Sequence, residues 1–160
     1  MINLVQALAD LLLAKRLRVA TAESCTGGLL ASWLTRLPGS STWFECGWVV
    51  YSNEAKQTLL DVPANVLTNY GAVSEQTVVC LAESALQKAR VDLAVAISGV
   101  AGPGGGSADK PVGTVWLAWA YRGEPTRSEK RLFSGSRESI QEQAAYVALE
   151  GLIRRISAKE

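Results

Sequence analysis

One serine and one lysine are the residues whose types and positions best suit catalysis. Ser24 follows a short apolar run and precedes Cys-Thr-Gly-Gly. Its hydroxyl could be a nucleophile at a strand-to-helix turn, with the Gly27 and Gly28 amides as oxyanion donors, or an ordinary cap of the next helix. Histidine is absent from all 160 residues. A serine nucleophile would therefore need another base, for which a lysine amine is a known solution. Lys56 is the candidate base, and the alternative is a lysine on a solvated helix face.

Cys25 is the rival nucleophile, because it lies beside Ser24. A reactive thiolate needs an electropositive partner, which Lys56 could supply, but a small buried cysteine is the more common case. We therefore favour Ser24. Lys56 can act as its base only when unprotonated, so burial would have to lower the lysine pKa from ~10.4 to about 7–8.

Helices alternating with apolar strands must position these residues. Hydrophobic periodicity predicts helices at about 2–16, 29–37, 52–60, 74–89 and 138–156. Strands are predicted at 18–22, 44–51, 93–97 and 114–121, with 126–133 returning antiparallel. The pattern indicates an α/β domain, a three-layer α/β/α sandwich with a mixed, mostly parallel central sheet. No linker or composition break divides the chain, so we expect one domain over 1–160.

Three of the predicted parallel strands lead into polar or glycine-rich segments, at 23–28, 51–56 and 98–106. Ligands of open α/β sheets bind outside the carboxyl ends of such strands. One edge should therefore gather a set of polar side chains, namely Ser24, Thr26, Tyr51, Ser52, Lys56 and Ser98. The glycine run that includes Gly102 and Gly104 is either a flexible surface loop or a flap whose amides contact a phosphate or ribose. Its place at this edge favours the flap.

Three further segments could have either a functional or an ordinary structural role. The Ser107 to Lys110 spacing matches the S-x-x-K motif, but flanking glycines and Pro111 argue against the helix that this motif needs. Arg137 opens the last predicted helix beside a serine, which suits a phosphate seat, although Ser136 could equally be a simple helix cap. The basic residues Arg154, Arg155 and Lys159 indicate a solvated helix end.

Composition excludes several classes of protein. With 48% hydrophobic and 19% charged residues, the chain is not a disordered polyelectrolyte. Sixteen basic against fifteen acidic side chains give no reason to expect nucleic-acid or membrane binding. Three cysteines without a CxxC pair, and no histidine, predict neither a zinc site nor a disulfide framework. The N-terminal apolar stretch, interrupted by Asp10, does not match a signal peptide, so we expect a cytoplasmic protein.

Several blocks, read together, resemble one family. They are TAESCTGG (21–28), PGSSTWF (38–44), VVYSNEAK (49–56), GAVSE (71–75), ISGVAGPGGGS (97–107) and KPVGTVW (110–116). The chain resembles the C-terminal domain of competence/damage-inducible protein A, the CinA family, which includes stand-alone nicotinamide-nucleotide amidohydrolases of the PncC type. The resemblance implies hydrolysis of nicotinamide mononucleotide to nicotinic acid mononucleotide and ammonia, in pyridine-nucleotide recycling and without a cofactor or metal.

The resemblance also implies roles for individual residues. Ser24, Lys56 and Tyr51 would be catalytic, and the substrate-binding residues would be Thr26, Gly27, Gly28, Ser98, Gly102, Gly104 and Arg137. Position 98 carries serine where threonine is common in the family, and Ser136 stands where an aspartate is frequent. Serine at position 98 keeps the hydroxyl of threonine, whereas serine at position 136 removes a carboxylate from the start of the last predicted helix.

A second hypothesis is a non-catalytic nucleotide-binding or interaction module linked to competence or DNA-damage response. The intact set of Ser24, Lys56 and Tyr51 favours the enzyme, because a module that only binds does not need both a nucleophile and a base. The five tryptophans are compatible with a buried interface. We expect a homo-oligomer, with a dimer favoured.

Overall fold

Five strands form one mixed sheet in the computed structural model, which describes residues 1–158. The strands are β1 (Val19–Glu23), β2 (Phe44–Val49), β3 (Leu93–Gly99), β4 (Thr114–Tyr121) and β5 (Arg127–Leu132), in the spatial order β2-β1-β3-β4-β5. β1 pairs parallel with β2 and β3, and β4 pairs antiparallel with β3 and β5. All strands except β4 therefore point the same way, which confirms the mixed, mostly parallel sheet.

Helices cover both faces of this sheet and complete the three predicted layers. They are α1 (Ile2–Lys15), α2 (Leu29–Thr35), α3 (Asn53–Leu60), α4 (Ala64–Tyr70), α5 (Glu75–Ala89) and α6 (Arg137–Ser157). One buried cluster joins α1, α2 and α6 to the sheet, and a second joins α3, α4 and α5 to its other face. Among residues 1–158, no helix is long and apolar enough to cross a membrane.

The central strand β3 shows how the sequence builds these layers. Its residues at 93, 95 and 97 are large aliphatics in the α1/α2/α6 cluster, whereas Ala94 and Ala96 face the α5 side. All five are fully buried. A continuous apolar run of this kind is typical of a strand covered on both faces, as the sequence predicted.

Some elements differ from the sequence-based prediction. Helix α4 was not predicted, because its seven residues bury a single side chain, Leu67, and so give almost no periodic signal. Strand β2 ends at Val49, two residues early, because the chain already turns toward α3 at Val50 and Tyr51. The segment from Ser107 to Lys110 is not helical, as expected from its glycine and proline neighbours.

The predicted solvated basic end of the last helix is wrong for one residue. Arg155 is buried, because α6 packs its last turn against the sheet, and its Nη2 donates to the Pro125 carbonyl at 2.9 Å. Arg154 is exposed, as predicted. Lys159 lies outside the described residues.

Candidate active site

The carboxyl ends of the parallel strands meet at one edge, as the sequence predicted. Ser24 follows β1 directly, α3 begins four residues after the end of β2, and Ser98 and Gly99 end β3. A pocket of about 300 Å³ opens there. Its lining includes most of the predicted site residues, namely Ser24, Tyr51, Lys56, Ser98, Gly102, Gly104 and Arg137, together with Cys25 and Asn53.

Lys56 is the residue that joins these segments. Its Nζ lies 3.0 Å from Ser24 Oγ, and it also donates to the backbone carbonyls of Val50 at 2.8 Å and Tyr51 at 3.1 Å. The side chain is 1% exposed, which excludes the alternative of a solvated helix lysine. Burial lowers the pKa of the amine, and a weaker influence of Cys25 acts in the opposite direction.

This geometry suits an amine that is not protonated. A neutral amine carries two N–H groups, and the carbonyls of Val50 and Tyr51 can accept both of them. Its lone pair is then left for the Ser24 hydroxyl proton. No carboxylate forms an ion pair with Lys56 within residues 1–158, so only the weaker influence of Cys25 opposes the effect of burial on its pKa.

Ser24 does not cap the helix that follows it. Helix α2 begins after Gly28, at φ 96°, and the capping oxygens come from Glu23 instead. The buried Glu23 carboxylate accepts hydrogen bonds from the Leu30 and Ala31 amides, at 2.9 and 3.0 Å, and from the Thr26 hydroxyl at 2.7 Å. The alternative reading of Ser24 as a cap is therefore wrong, and its hydroxyl is left facing Lys56.

Glu23 was missed by the sequence reasoning. The signal for it was a carboxylate in the turn that leads into a helix, where the helix dipole and the first amides favour negative charge. Because Glu23 ends β1 and also binds the first turn of α2, it fixes both ends of the turn that carries Ser24.

Cys25 is buried, and burial raises the pKa of its thiol to about 12. A thiol with such a pKa carries almost no thiolate at neutral pH. Cys25 therefore fits a structural role, which agrees with the preference for Ser24 as nucleophile.

Thr26, Gly27 and Gly28 lie beside the Ser24 pocket rather than in it. They line an adjoining cavity of about 700 Å³ together with Glu138 and Glu142. The Thr26 hydroxyl already donates to Glu23, and the Gly27 amide donates to the Ser24 carbonyl at 3.0 Å. Substrate contact by these three residues stays a prediction.

Arg137 lines both cavities and ties three segments together. Its Nη1 donates to the Gly102 carbonyl at 2.7 Å, and its Nη2 donates to the Tyr51 hydroxyl at 2.8 Å. The glycine-rich loop is therefore held against the site by α6. Ser136 does cap that helix, because its hydroxyl accepts from the Ser139 amide at 3.2 Å. A cap at Ser136 is compatible with a phosphate contact by Arg137, so the two interpretations do not exclude each other.

Tyr51 contacts Lys56 through its main chain. Its carbonyl accepts from Lys56, while its side chain is 60% exposed and its hydroxyl accepts from Arg137. A catalytic role for the Tyr51 hydroxyl stays a prediction.

Two pocket side chains keep free polar groups for a ligand. Ser98 is buried at the end of β3, and its hydroxyl has no hydrogen-bond partner in the part of the chain that the structure describes. The Asn53 side-chain amide, in the first turn of α3, is likewise unpaired within 1–158. Sequence reasoning missed Asn53, although it stands three residues before Lys56 in the segment already singled out.

Comparison with known proteins identifies relatives over nearly the whole chain. The family model described as the CinA C-terminal domain matches residues 1–156. A CinA-like protein of Akkermansia muciniphila is 56% identical over 137 residues, covering 86% of this chain and 33% of that protein. The chain thus spans about a third of the length of this relative. The nicotinamide-nucleotide amidohydrolase PncC of Escherichia coli K12 is 49% identical over 153 residues, covering 95% of this chain and 92% of that one.

Solved structures agree with this comparison. The competence damage-inducible protein A (ComA) of Klebsiella pneumoniae superposes with a TM-score of 0.94 at 38% identity, over 98% of this chain and 96% of that one. The competence/damage inducible protein CihA of Agrobacterium tumefaciens gives 0.92 at 43% identity, over 96% and 93%. The family resemblance found in the sequence is confirmed, and this chain belongs to the CinA C-terminal domain family.

Proposed function

We propose that this protein hydrolyses the carboxamide of nicotinamide mononucleotide to nicotinic acid mononucleotide and ammonia. The observation that carries the proposal is the buried Lys56 amine 3.0 Å from the Ser24 hydroxyl. A module that only binds nucleotides would gain nothing from burying a lysine against a serine, which costs desolvation of the amine. Relatives about 50% identical over most of their length are named nicotinamide-nucleotide amidohydrolase.

The reaction follows from this pair. Neutral Lys56 takes the Ser24 proton, and the serine oxygen attacks the carboxamide carbon to form a tetrahedral oxyanion. The lysine ammonium then gives its proton to the amide nitrogen, the C–N bond breaks, and ammonia leaves an ester on Ser24. Water, deprotonated by the same amine, attacks that ester, releasing the carboxylate and restoring the serine.

The turn after Ser24 offers donors for the oxyanion. The Gly27 amide is already bonded to the Ser24 carbonyl, whereas the Cys25, Thr26 and Gly28 amides donate no main-chain hydrogen bond within residues 1–158. We therefore assign the oxyanion to amides of Cys25, Thr26 and Gly28 and exclude that of Gly27. Backbone donors that are fixed before the reaction stabilise developing negative charge efficiently.

Charge indicates where the substrate phosphate lies. Among residues 1–158, no carboxylate lines the Ser24 pocket, which includes the Arg137 guanidinium, whereas the adjoining cavity carries Glu138 and Glu142. A phosphate dianion is repelled by the second cavity and attracted to the first. Arg137 keeps further N–H groups for it beyond those given to Gly102 and Tyr51.

The remaining expectations belong to the same proposal. We propose that the chain acts as one domain in the cytoplasm, in pyridine-nucleotide recycling, and that it is a dimer. Light scattering on the purified protein measures the last of these directly.

Ammonia release from nicotinamide mononucleotide by the purified protein tests the function. The wild type and Cys25→Ala should both release ammonia, while Ser24→Ala should release essentially none, because the thiol is inert and the hydroxyl is the nucleophile. Absence of ammonia from the wild type would contradict the proposal. Activity that survives Ser24→Ala but is lost in Cys25→Ala would reassign the nucleophile.

A further inference from the structure

Three arginines converge on a concave surface far from Ser24. Arg127 begins β5, and Arg154 and Arg155 lie in the last turn of α6. With Trp119, Ser128, Glu129 and Gly151 they line a pocket of about 300 Å³, which we call the arginine pocket. Arg137, at the first turn of α6, lines the Ser24 pocket. At 1.5 Å per helical residue, about 27 Å of helix separates it from Arg155, so the two pockets are distinct.

Arg155 is the arginine with the least usual environment. It is 7% exposed, its Nη2 donates to the Pro125 carbonyl, and its guanidinium lies 6.0 Å from the centre of the Tyr121 ring. Its buried Nε has no hydrogen-bond partner within residues 1–158. Burial lowers the pKa of this guanidinium, and the charge of Arg127 lowers it further.

Buried arginines are almost always paired with an anion, but Arg155 forms no ion pair with a carboxylate of residues 1–158. Arginines that are more exposed do have carboxylate partners in the described chain: Arg18 with Glu45, Arg122 with Asp92, and Arg131 with Glu129. Glu124 and Tyr121 favour the charged form of Arg155 and oppose the effect of burial on its pKa.

The carboxylate inside the pocket is already shared. Glu129 binds Arg131 at 2.8 Å and approaches Arg154 at 3.5 Å. Neither Arg127 nor Arg155 forms an ion pair with any carboxylate of residues 1–158. The pocket therefore holds more positive than negative charge, and the Arg155 side chain in it is already buried.

We propose that the arginine pocket is a second anion site, which binds inorganic phosphate or the phosphate of a small phosphomonoester. Guanidinium groups bind phosphate oxygens in pairs of parallel hydrogen bonds. A phosphate placed among Arg127, Arg154 and Arg155 would give the exposed Arg127 guanidinium an acceptor, which no carboxylate of residues 1–158 provides. The pocket volume leaves room for an organic group beside the phosphate.

Calorimetric titration with inorganic phosphate at constant ionic strength tests the site. The titration uses an Arg137→Ala background, which removes the proposed phosphate contact of the Ser24 pocket. Saturable binding at one site should persist there. Adding Arg127→Gln should weaken it at least tenfold, and adding Glu129→Gln should strengthen it, because one change removes a positive and the other a negative charge.

Lys130→Gln is the matched control. It removes the same charge three residues further along β5, but Lys130 lines a different cavity, so phosphate affinity should change less than twofold. Arg127 and Lys130 are both exposed, so neither variant should impair folding. Repeating the titration with glycerol phosphate distinguishes the ligands, since tighter binding favours a phosphomonoester and equal or weaker binding favours inorganic phosphate.

Several results would overturn the site. Absence of saturable binding in Arg137→Ala would show that the arginine pocket does not bind phosphate. Equal weakening by Arg127→Gln and Lys130→Gln would show attraction by surface charge without a built pocket. Ammonia release from nicotinamide mononucleotide should persist in Arg127→Gln, so failure of this inference and failure of the proposed function are separable.

Discussion

Neither Glu54 nor Asp61, the carboxylates nearest to Lys56 along the chain, forms an ion pair with its amine. Asp61 pairs with Lys88 at 2.8 Å, and Glu54 lies in the exposed first turn of α3. Burial therefore lowers the lysine pKa, and only the weaker influence of Cys25 opposes this shift. The rise of the Cys25 pKa to about 12 has the same cause, so one dry environment favours the neutral form of both groups.

The lowered pKa of Lys56 links stability to pH with a definite sign. Between that lowered value and the ordinary value of 10.5, the unfolded chain binds a proton that the folded chain does not. The free energy of unfolding should therefore rise with pH across this window. Urea unfolding at several pH values should show this slope in the wild type, and Lys56→Met should reduce it. An identical slope in the two proteins would mean that Lys56 is protonated in the folded state.

Arg137→Ala should separate binding from chemistry. Loss of the proposed phosphate contact should raise KM for nicotinamide mononucleotide about tenfold or more, with a smaller change in kcat. The effect should vanish with nicotinamide riboside, which lacks the phosphate. Should KM rise equally for both substrates, Arg137 would act by holding Gly102 and Tyr51 in place and not by binding phosphate.

At the scale of elements, the turn between β1 and α2 decides where Ser24 points. Position and elimination selected Ser24 and Lys56 from the sequence, because parallel strands end at one edge and the chain has no histidine. The capping role of Glu23 could not be predicted in the same way, since the start of α2 at Leu29 depends on Gly28 adopting φ 96°. Helix α4 could not be predicted either, for a different reason: its single buried residue, Leu67, gives no hydrophobic periodicity.

Glu23→Ala tests this account of the turn. The change removes the acceptor of three hydrogen bonds and leaves the buried Leu30 amide and the partly buried Ala31 amide unpaired. Unsatisfied buried donors cost about 1–3 kcal/mol each, so the free energy of unfolding should fall by roughly 3–5 kcal/mol, measured in urea. Glu54→Ala, which removes an exposed first-turn carboxylate from α3, is the matched control and should cost less than about 1 kcal/mol. Equal losses would show that Glu23 only contributes charge near a helix end.

At the scale of the whole molecule, helix α6 connects the two polar regions. It begins at Arg137, which holds the glycine-rich loop against the Ser24 pocket, and it ends at the arginine pocket. The sequence placed Arg137 correctly at the start of this helix but assigned Arg155 to a solvated end. Periodicity alone could not reveal that burial, because it depends on how the last turn of α6 packs against Tyr121 and Pro125.

The dependence of kcat/KM on pH, compared between the wild type and Lys56→Arg, tests the central claim that a neutral Lys56 activates Ser24. In the wild type, kcat/KM for nicotinamide mononucleotide should rise with pH to a plateau, through an ionisation below the ordinary lysine value. A guanidinium stays protonated at any working pH. Lys56→Arg should therefore lose that ionisation and roughly 10²–10⁴ of the rate, the usual contribution of a general base. A Lys56→Arg variant with near-normal kcat and an unchanged pH profile would contradict the account.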